Sequence, residues 1–162
     1  MLDITEGLSA LHQQQIWHRD LKPNNVIISD DNTIKLVDLG IAKEETIKLT
    51  KTGMRLGTPS YMAPEQWLGK PVDQRTDLWA LGVIGYEMIT GTKPFKSTQA
   101  MMLASEVTNE TPEKIELSPP NQALSSDINH MLSKLITPLR EDRYSDTQLL
   151  QEVLRPLLER AL

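Results

Sequence analysis

Residues 16–43 read IWHRDLKPNNVIISDDNTIKLVDLGIAK, and this stretch carries the strongest structural signal in the chain. Two short apolar segments, VIIS (26–29) and IKLV (34–37), flank the polar residues DDNT. Short β-branched segments around Asp and Asn are typical of a β-hairpin. The sequence therefore predicts a hairpin that turns at Asp31 and Asn32.

The register of this hairpin would bring an amide and a carboxylate together. If the turn is symmetric, Val26 faces Val37, and Asn25 and Asp38 form the pair just beyond the strands. Because paired strands lie about 5 Å apart, two oxygen donors would then share one end of the ribbon. Hard oxygen donors suit Mg²⁺, which typically takes one or two protein oxygens and completes its shell with water and phosphate.

Two further polar residues, Asp20 and Lys22, precede Asn25 in the loop that leads into the hairpin. A carboxylate, an ammonium group and a metal-binding pair are the groups that phosphoryl transfer requires as base, charge clamp and cation site. Each of these residues alone is an ordinary loop or hairpin-tip residue. The ordered set is much harder to explain in that way, and it favours phosphoryl-transfer chemistry.

Composition bounds the class of protein. The 162 residues carry a formal net charge of −5, which argues against nucleic acid as a partner, and the absence of cysteine excludes disulfides and thiolate chemistry. The N-terminus lacks the pattern of a signal peptide. The most apolar stretch, residues 78–89, is shorter than the roughly 20 residues that cross a bilayer. We expect a cytoplasmic protein with no membrane segment in this chain.

Periodicity predicts a mainly α-helical domain with one small hairpin. Residues 38–64 show no sustained period, and a connection of that length is usually functional or disordered. Helical patterns occupy five segments: 2–11, 73–91, 97–107, 125–136 and 145–159.

Four motifs, in order, carry a resemblance to a known family. HRDLKPNN (18–25) resembles the catalytic loop of protein kinases, and DLG (38–40) resembles their magnesium-binding motif. GTPSYMAPE (57–65) is similar to the end of the activation segment, and residues 77–95 are similar to the helix that supports the active site. Over residues 1–162 the chain thus resembles the C-terminal lobe of a bacterial, eukaryotic-like (Hanks-type) Ser/Thr protein kinase, with the activation segment at 38–65.

The resemblance implies roles for the loop residues. Asp20 would accept the proton of the substrate hydroxyl or orient it, and Lys22 would contact the γ-phosphate of ATP. Asn25 and Asp38 would hold Mg²⁺ or Mn²⁺ and, through the metal, the nucleotide. Gly40 would supply backbone freedom after the metal ligand. Lysine in DLKPNN is typical of kinases directed to Ser and Thr.

Further roles follow for the activation segment. Thr58 and Pro59 resemble the platform for protein substrates with Ser or Thr acceptors. Arg19, immediately before the base, implies control by phosphorylation, because Arg binds phosphate bidentately. We expect Thr52 as the principal phosphorylated residue and Thr50 as the second, although threonines also populate loops that have no such role.

Four residues are expected to be structural. His18 resembles a packed histidine of the family's internal spine rather than a base. Glu65 and Arg143 would form a buried ion pair, and Asp77 would hydrogen-bond the backbone of the catalytic loop.

The sequence contains no G-x-G or Walker-type phosphate loop and no strand with an ATP-pairing lysine. We therefore expect that the N-terminal lobe is absent, that the isolated chain transfers phosphate poorly, and that its exposed face binds the missing lobe or a second copy. The alternative is a non-catalytic scaffold of the pseudokinase type. A small-molecule kinase is opposed by the GTPSYMAPE segment, which resembles a peptide platform.

Overall fold

The structure is a computed structural model that describes residues 1–40 and 59–161. Helices dominate these residues, and the two strands form one antiparallel hairpin. The elements in chain order are α1 (Leu2–His12), β1 (Val26–Ile28), β2 (Ile34–Leu36), α2 (Pro64–Trp67), α3 (Gln74–Thr90), α4 (Ala100–Asn109), α5 (Ser125–Leu135) and α6 (Thr147–Ala161). Within the described ranges, four short 3₁₀ turns cover Pro23–Asn25, Pro59–Tyr61, Asn121–Leu124 and Arg140–Asp142.

Helix α3 is the centre of the fold, and its predicted position is confirmed. Asp73 caps its N-terminus by accepting a hydrogen bond from the Arg75 backbone N–H at 2.9 Å. Gly91 ends it in the left-handed conformation, with φ of 71°. The residues from 76 to 86 are all buried, which explains why this segment is apolar on nearly every side.

The other predicted helices are present with bounds within three residues of the prediction, whereas the short helix α2 was not predicted. α4 begins at Ala100 rather than at residue 97, because the Glu106 carboxylate accepts the backbone N–H groups of Lys96 and Ser97 at 3.1 and 3.2 Å and holds them outside the helix. α6 begins at Thr147, where Asp146 accepts the Leu149 N–H at 2.9 Å. Both shifts come from side chains that bind the backbone just before the helix.

The core forms where α1 packs on α6 and where α3 packs on α5. Gly82 makes the second contact possible: a Cβ atom at this position would lie 2.6 Å from Cβ of Leu135 and 2.9 Å from Cγ1 of Ile136. Trp79 is completely buried and stacks on Phe95 with ring centroids 5.9 Å apart. Among the residues with described coordinates, no helix is long and apolar enough to cross a membrane.

The predicted hairpin is present, but its register differs by one residue from the symmetric expectation. Val26 pairs with Leu36 rather than with Val37, its expected partner. The Ser29 N–H donates to the Thr33 carbonyl at 2.9 Å, so the loop between them has three residues instead of two. Asn32 occupies the left-handed position of that loop, with φ of 61°. The polar tip is compatible with both loop lengths, so composition alone did not determine the register.

Candidate active site

The Asp20 carboxylate lies at the centre of the candidate site. The Lys22 ammonium group is 2.8 Å from its Oδ2 atom, and the side-chain amide of Asn25 donates to the same oxygen at 3.2 Å. Both Asp20 and Lys22 retain 21% exposure of their side chains, so a substrate in solvent can reach them. The structure thus brings together three of the residues that the sequence singled out.

A tight turn explains why Asn25 reaches Asp20. Pro23 begins a one-turn 3₁₀ helix, in which its fixed φ angle is favourable and its missing N–H is not needed. The turn brings the Asn25 N–H to the Lys22 carbonyl at 2.9 Å. Nδ2 of Asn25 also donates to the Asp20 backbone carbonyl at 2.8 Å, and the residue is only 3% exposed. Because the amide nitrogen faces Asp20, the oxygen Oδ1 is the atom that remains for a metal ligand.

Asp38 follows the hairpin but is not the direct partner of Asn25. The Asn25 carbonyl accepts the Val37 N–H at 3.0 Å, which continues the observed register and places Asp38 one residue farther along. Asp38 is exposed and has a left-handed backbone, with φ of 56°. The expected opposition of these two residues was therefore wrong, because the three-residue loop shifts the second strand by one position.

A buried carboxylate from α3 holds the backbone of His18 and Arg19, next to Asp20. Asp77 accepts the N–H groups of His18 and Arg19, each at 2.8 Å, and it also accepts Nε2–H of His12 at 2.8 Å. The Asp77 residue is 1% exposed. Arg19 has a φ of 63°, which is unfavourable for a residue with a side chain. Hydrogen bonds to a buried, charged acceptor are stronger than neutral ones, so they can maintain this conformation.

His18 is fully buried, and both ring nitrogens have hydrogen-bond partners in the loop. Nε2 donates to the Val37 carbonyl at 3.0 Å, and Nδ1 accepts the Asp20 N–H at a longer 3.4 Å. The His18 carbonyl in turn accepts the N–H of Gly40 at 2.8 Å. A Cβ atom on Gly40 would lie 2.9 Å from that carbonyl oxygen and 3.2 Å from Cβ of Asp20. Close approach, rather than a positive φ angle, therefore requires glycine at this position.

Glu65 and Arg143 form a buried bidentate ion pair, with distances of 2.8 and 2.9 Å. The Thr76 hydroxyl also donates to Glu65, at 2.7 Å. Burial would raise the pKa of the Glu65 carboxyl, but the hydrogen bonds and positive charge of Arg143, together with the Thr76 hydroxyl, outweigh it and lower the pKa below its ordinary value. The pair joins α2 to the loop before α6.

Two residues that contact the site, His12 and Gln66, were not predicted from the sequence. His12 binds Asp77, and Gln66 donates from Nε2 to the Arg19 carbonyl at 2.9 Å. His12 lies on α1, which the sequence predicted, and Gln66 lies on α2, which it left unassigned. Their partners are 65 and 47 residues away in the chain, respectively. No local spacing relates residues so far apart, so only the fold reveals these contacts.

The expected substrate platform is described only in part. Pro59 begins a 3₁₀ turn that ends at Tyr61, whose hydroxyl donates to Glu87 at 2.6 Å. Burial and the neighbouring Glu87 carboxylate raise the pKa of Tyr61 well above its usual value. Thr58 and the expected phosphorylation sites Thr50 and Thr52 lie outside the described residues.

Comparison with known proteins identifies the class. The protein kinase domain family matches residues 1–154, so the chain belongs to that family. It is 40% identical to the serine/threonine-protein kinase PknA of Corynebacterium glutamicum over 122 residues, which are 72% of this chain and 26% of that protein. It is 36% identical to Pkn1 of Myxococcus xanthus over 162 residues (96% of this chain, 23% of that protein). PknB of Mycobacterium tuberculosis is 36% identical over 145 residues (88% of this chain, 23% of that protein).

These relatives are all bacterial serine/threonine-protein kinases by name, and the expected Hanks-type family is confirmed. The chain spans about a quarter of the length of the curated relatives that it matches. Its assignment to the C-terminal lobe stays a prediction from the order of the motifs.

Proposed function

We propose that this chain is the catalytic lobe of a Ser/Thr protein kinase that transfers the γ-phosphate of ATP to hydroxyl groups of protein substrates. One observation carries the proposal. The Asp20 carboxylate is held by Lys22 and Asn25 in a partly exposed position, on a loop whose backbone is fixed by the buried Asp77. A base, a cation and an amide oxygen in this order are the groups that phosphoryl transfer to a hydroxyl requires.

The proposed steps assign one task to each residue. Asp20 orients the acceptor hydroxyl and takes its proton as the oxygen forms a bond to the γ-phosphorus and the bond from that phosphorus to the ADP oxygen breaks. Lys22 offsets the negative charge on the transferring group. Its ammonium group lies only 2.8 Å from the Asp20 carboxylate, which orients the acceptor. Pro59 and Thr58 are proposed to receive the backbone of the protein substrate beside the acceptor.

The available ligands fit a hard divalent cation. Asn25 has its amide nitrogen turned to Asp20, which leaves Oδ1 as donor, and Asp38 supplies an exposed carboxylate. Two oxygen ligands of this kind are what Mg²⁺ or Mn²⁺ takes from a protein when phosphates and water complete its shell. When bound, the cation neutralises phosphate charge; Asn25 and Asp38 would hold it in place.

The ATP-binding half of the site is proposed to come from sequence outside this chain. The motifs cover the base, the metal ligands and the platform, whereas the phosphate loop and its lysine have no counterpart here. We expect that the chain alone transfers phosphate slowly or not at all, and that residues 18–25 and 38–65 act as catalytic loop and activation segment once the nucleotide lobe is supplied.

Regulation by phosphorylation is proposed for the same site. Arg19 would bind a phosphate on Thr52 and, secondarily, on Thr50, because a guanidinium forms two parallel hydrogen bonds to phosphate. Phosphopeptide mass spectrometry of the active kinase tests this proposal. Phosphate on Thr52 is the expected result, and an active kinase without phosphate on residues 46–60 would rule it out.

The test of the proposed function is transfer of radioactive γ-phosphate to a Ser- or Thr-containing protein by this chain supplied with a nucleotide-binding N-terminal kinase lobe. The Asp20→Asn variant keeps the size of the side chain but removes the base, so we expect a loss of at least a hundredfold. Asp30→Asn, on the exposed hairpin loop, is the matched control and should keep full activity. Activity that is unchanged by Asp20→Asn would exclude the kinase mechanism.

A second candidate function is a non-catalytic scaffold, and one observation favours it. Ile27 and Ile28 of the hairpin are 47% and 67% exposed, which creates an apolar surface that suits a protein partner, either the missing lobe or a second copy. The same assay separates the candidates, because a scaffold would show no phosphate transfer that depends on Asp20.

A further inference from the structure

Gln66 lies at the third position of α2, immediately after the segment that ends with Glu65. Its side chain is 9% exposed and uses both ends of its amide. Nε2 donates to the carbonyl of Arg19 at 2.9 Å, and Oε1 accepts the backbone N–H of Ala63 at 2.9 Å. We propose that Gln66 is a positioning residue, which fixes the orientation of the Asp20 carboxylate through the peptide group that joins Arg19 to Asp20.

The acceptor of the Gln66 hydrogen bond lies next to Asp20 in the backbone. The Arg19 carbonyl belongs to the same planar peptide group as the Asp20 N–H. A change in the ψ angle of Arg19 would turn that plane, move Cα of Asp20 and redirect its side chain. Asp77 holds the Arg19 N–H, on the peptide before it. On the following peptide, His18 Nδ1 accepts the Asp20 N–H at a long 3.4 Å, and Gln66 Nε2 donates to the Arg19 carbonyl at 2.9 Å, which is the shorter contact.

The backbone of Arg19 is strained. With φ of 63°, this residue is in a region that side chains disfavour by roughly 1–2 kcal/mol, so it relaxes unless its neighbours oppose the change. A hydrogen bond at the carbonyl and another at the N–H fix both sides of the residue. The two anchors come from different parts of the fold, α2 and α3, so both must be packed in place for Asp20 to face its substrate.

The two hydrogen bonds require one orientation of the Gln66 side-chain amide. If the amide were reversed, the NH₂ group would face the Ala63 N–H and the oxygen would face the Arg19 carbonyl, which would produce two repulsive contacts. The hydrogen-bond pattern therefore requires the donor toward Arg19. A glutamate at this position could preserve the contact with Ala63, but its second oxygen would repel the Arg19 carbonyl unless the carboxyl carried a proton.

A purely structural role is the competing explanation. The contact between Gln66 and Ala63 is a capping interaction, and loss of a cap would simply destabilise α2. The two roles predict different behaviour of Gln66→Glu, which keeps the cap and loses only the donor toward Arg19. Gln66→Met keeps the approximate volume and loses both contacts.

The experiment measures kcat and KM for a Thr-containing peptide from pH 5 to pH 8, with this chain supplied with a nucleotide-binding N-terminal kinase lobe. We expect kcat of Gln66→Glu to fall by roughly 10- to 100-fold at pH 8, because small misplacement of a reacting group has effects of that size. KM for the peptide should stay within about twofold, since the two side-chain hydrogen bonds of Gln66 go to the backbone of Arg19 and Ala63. The ratio of variant to wild-type kcat should rise as the pH is lowered, because protonation of the introduced carboxyl restores a donor toward Arg19.

A ratio that is constant across this pH range, or a kcat equal to that of the wild type, would overturn the proposal. If Gln66→Glu does not fold, the ¹³C carbonyl shift of Arg19 in folded Gln66→Met decides: a change relative to wild type supports the hydrogen bond, and an unchanged shift with unchanged kcat refutes it.

The inference rests on the proposed function, but the two fail differently. Loss of the Asp20 dependence in the wild-type protein refutes the kinase mechanism. Retention of that dependence together with full activity of both Gln66 variants refutes only the positioning role.

Discussion

Arg143 and Glu65 are joined by two parallel hydrogen bonds, although 78 residues separate them in the chain. Three backbone carbonyls, those of Arg75, Thr137 and Pro138, accept the remaining N–H groups of the guanidinium, so each of its five donors has an acceptor. The guanidinium also lies over the Trp79 ring, 4.9 Å from its centroid. A buried charge with all its donors satisfied is tolerated in a core, but it becomes destabilising as soon as its partner is removed.

Glu65→Gln should therefore lower the free energy of unfolding by about 3–5 kcal/mol, because the Arg143 charge would stay buried without its counterion. Urea denaturation of the full chain measures this effect. Arg155→Gln is the matched control, since the Arg155–Glu6 pair is about half exposed, and it should change stability by less than about 1 kcal/mol. Replacing both partners by apolar residues, Glu65→Leu with Arg143→Met, should be less harmful than either single change. Equal effects of the buried and exposed pairs would contradict this account.

Acid should weaken the fold through the same carboxylate. The pKa of Glu65 is lowered in the folded state, so its contribution to stability is fully present above the ordinary glutamate pKa, about 4.3, and is lost as the pH falls through the lower folded value. Asp73 acts in the same direction, because burial would raise its pKa but the hydrogen bonds and charge of Arg75 outweigh this effect. Denaturation midpoints measured from pH 7 to pH 3 should fall less steeply for Glu65→Gln than for the wild type. Parallel curves would mean that other carboxylates control the acid response.

Substitution of two glycines should separate catalysis from stability. Gly40→Ala places a Cβ atom 2.9 Å from the His18 carbonyl oxygen and next to Asp20, so the catalytic loop must shift. We expect phosphate transfer by the complete kinase to fall by about tenfold or more. Gly91→Ala has open space around its Cβ atom but a φ of 71°, so it should reduce stability by about 1–2 kcal/mol and leave kcat unchanged. Normal activity of Gly40→Ala would show that the loop adapts without loss.

The hairpin register is tested by comparing alanine and glycine at two neighbouring positions. Asn32 has a positive φ angle and Asp31 does not. Asn32→Gly should therefore be more stable than Asn32→Ala, by about 1 kcal/mol. At position 31 the order should reverse, because glycine there only increases the conformational entropy of the unfolded chain. Asp31→Gly should therefore be less stable than Asp31→Ala by about 0.5–1 kcal/mol. A two-residue type I′ turn would favour glycine at both positions, so thermal unfolding of the four variants distinguishes the two loops.

The sequence by itself determined the features that depend on neighbouring residues. The helical segments followed from 3.6-residue periodicity, with Gly91 at the end of α3, and the hairpin followed from two short apolar segments around a polar tip. The order of the motifs was sufficient for the family, which the protein kinase domain match confirms. In the loop, the grouping of Asp20 with Lys22 and Asn25 is equally local, because a single tight turn connects them.

Tertiary structure alone decided the register and the contacts that hold the loop. Leu36 packs on α1, where a Cβ atom at Gly7 would lie only 3.1 Å from it, so this packing selects one pairing from several that the polar tip allows. Asp77 and Gln66 reach the backbone of His18 and Arg19 from α3 and α2 across 47 or more residues. Such contacts depend on how whole helices pack, and no spacing in the sequence encodes them. The chemistry of the candidate base is thus local, whereas its orientation is a property of the folded core.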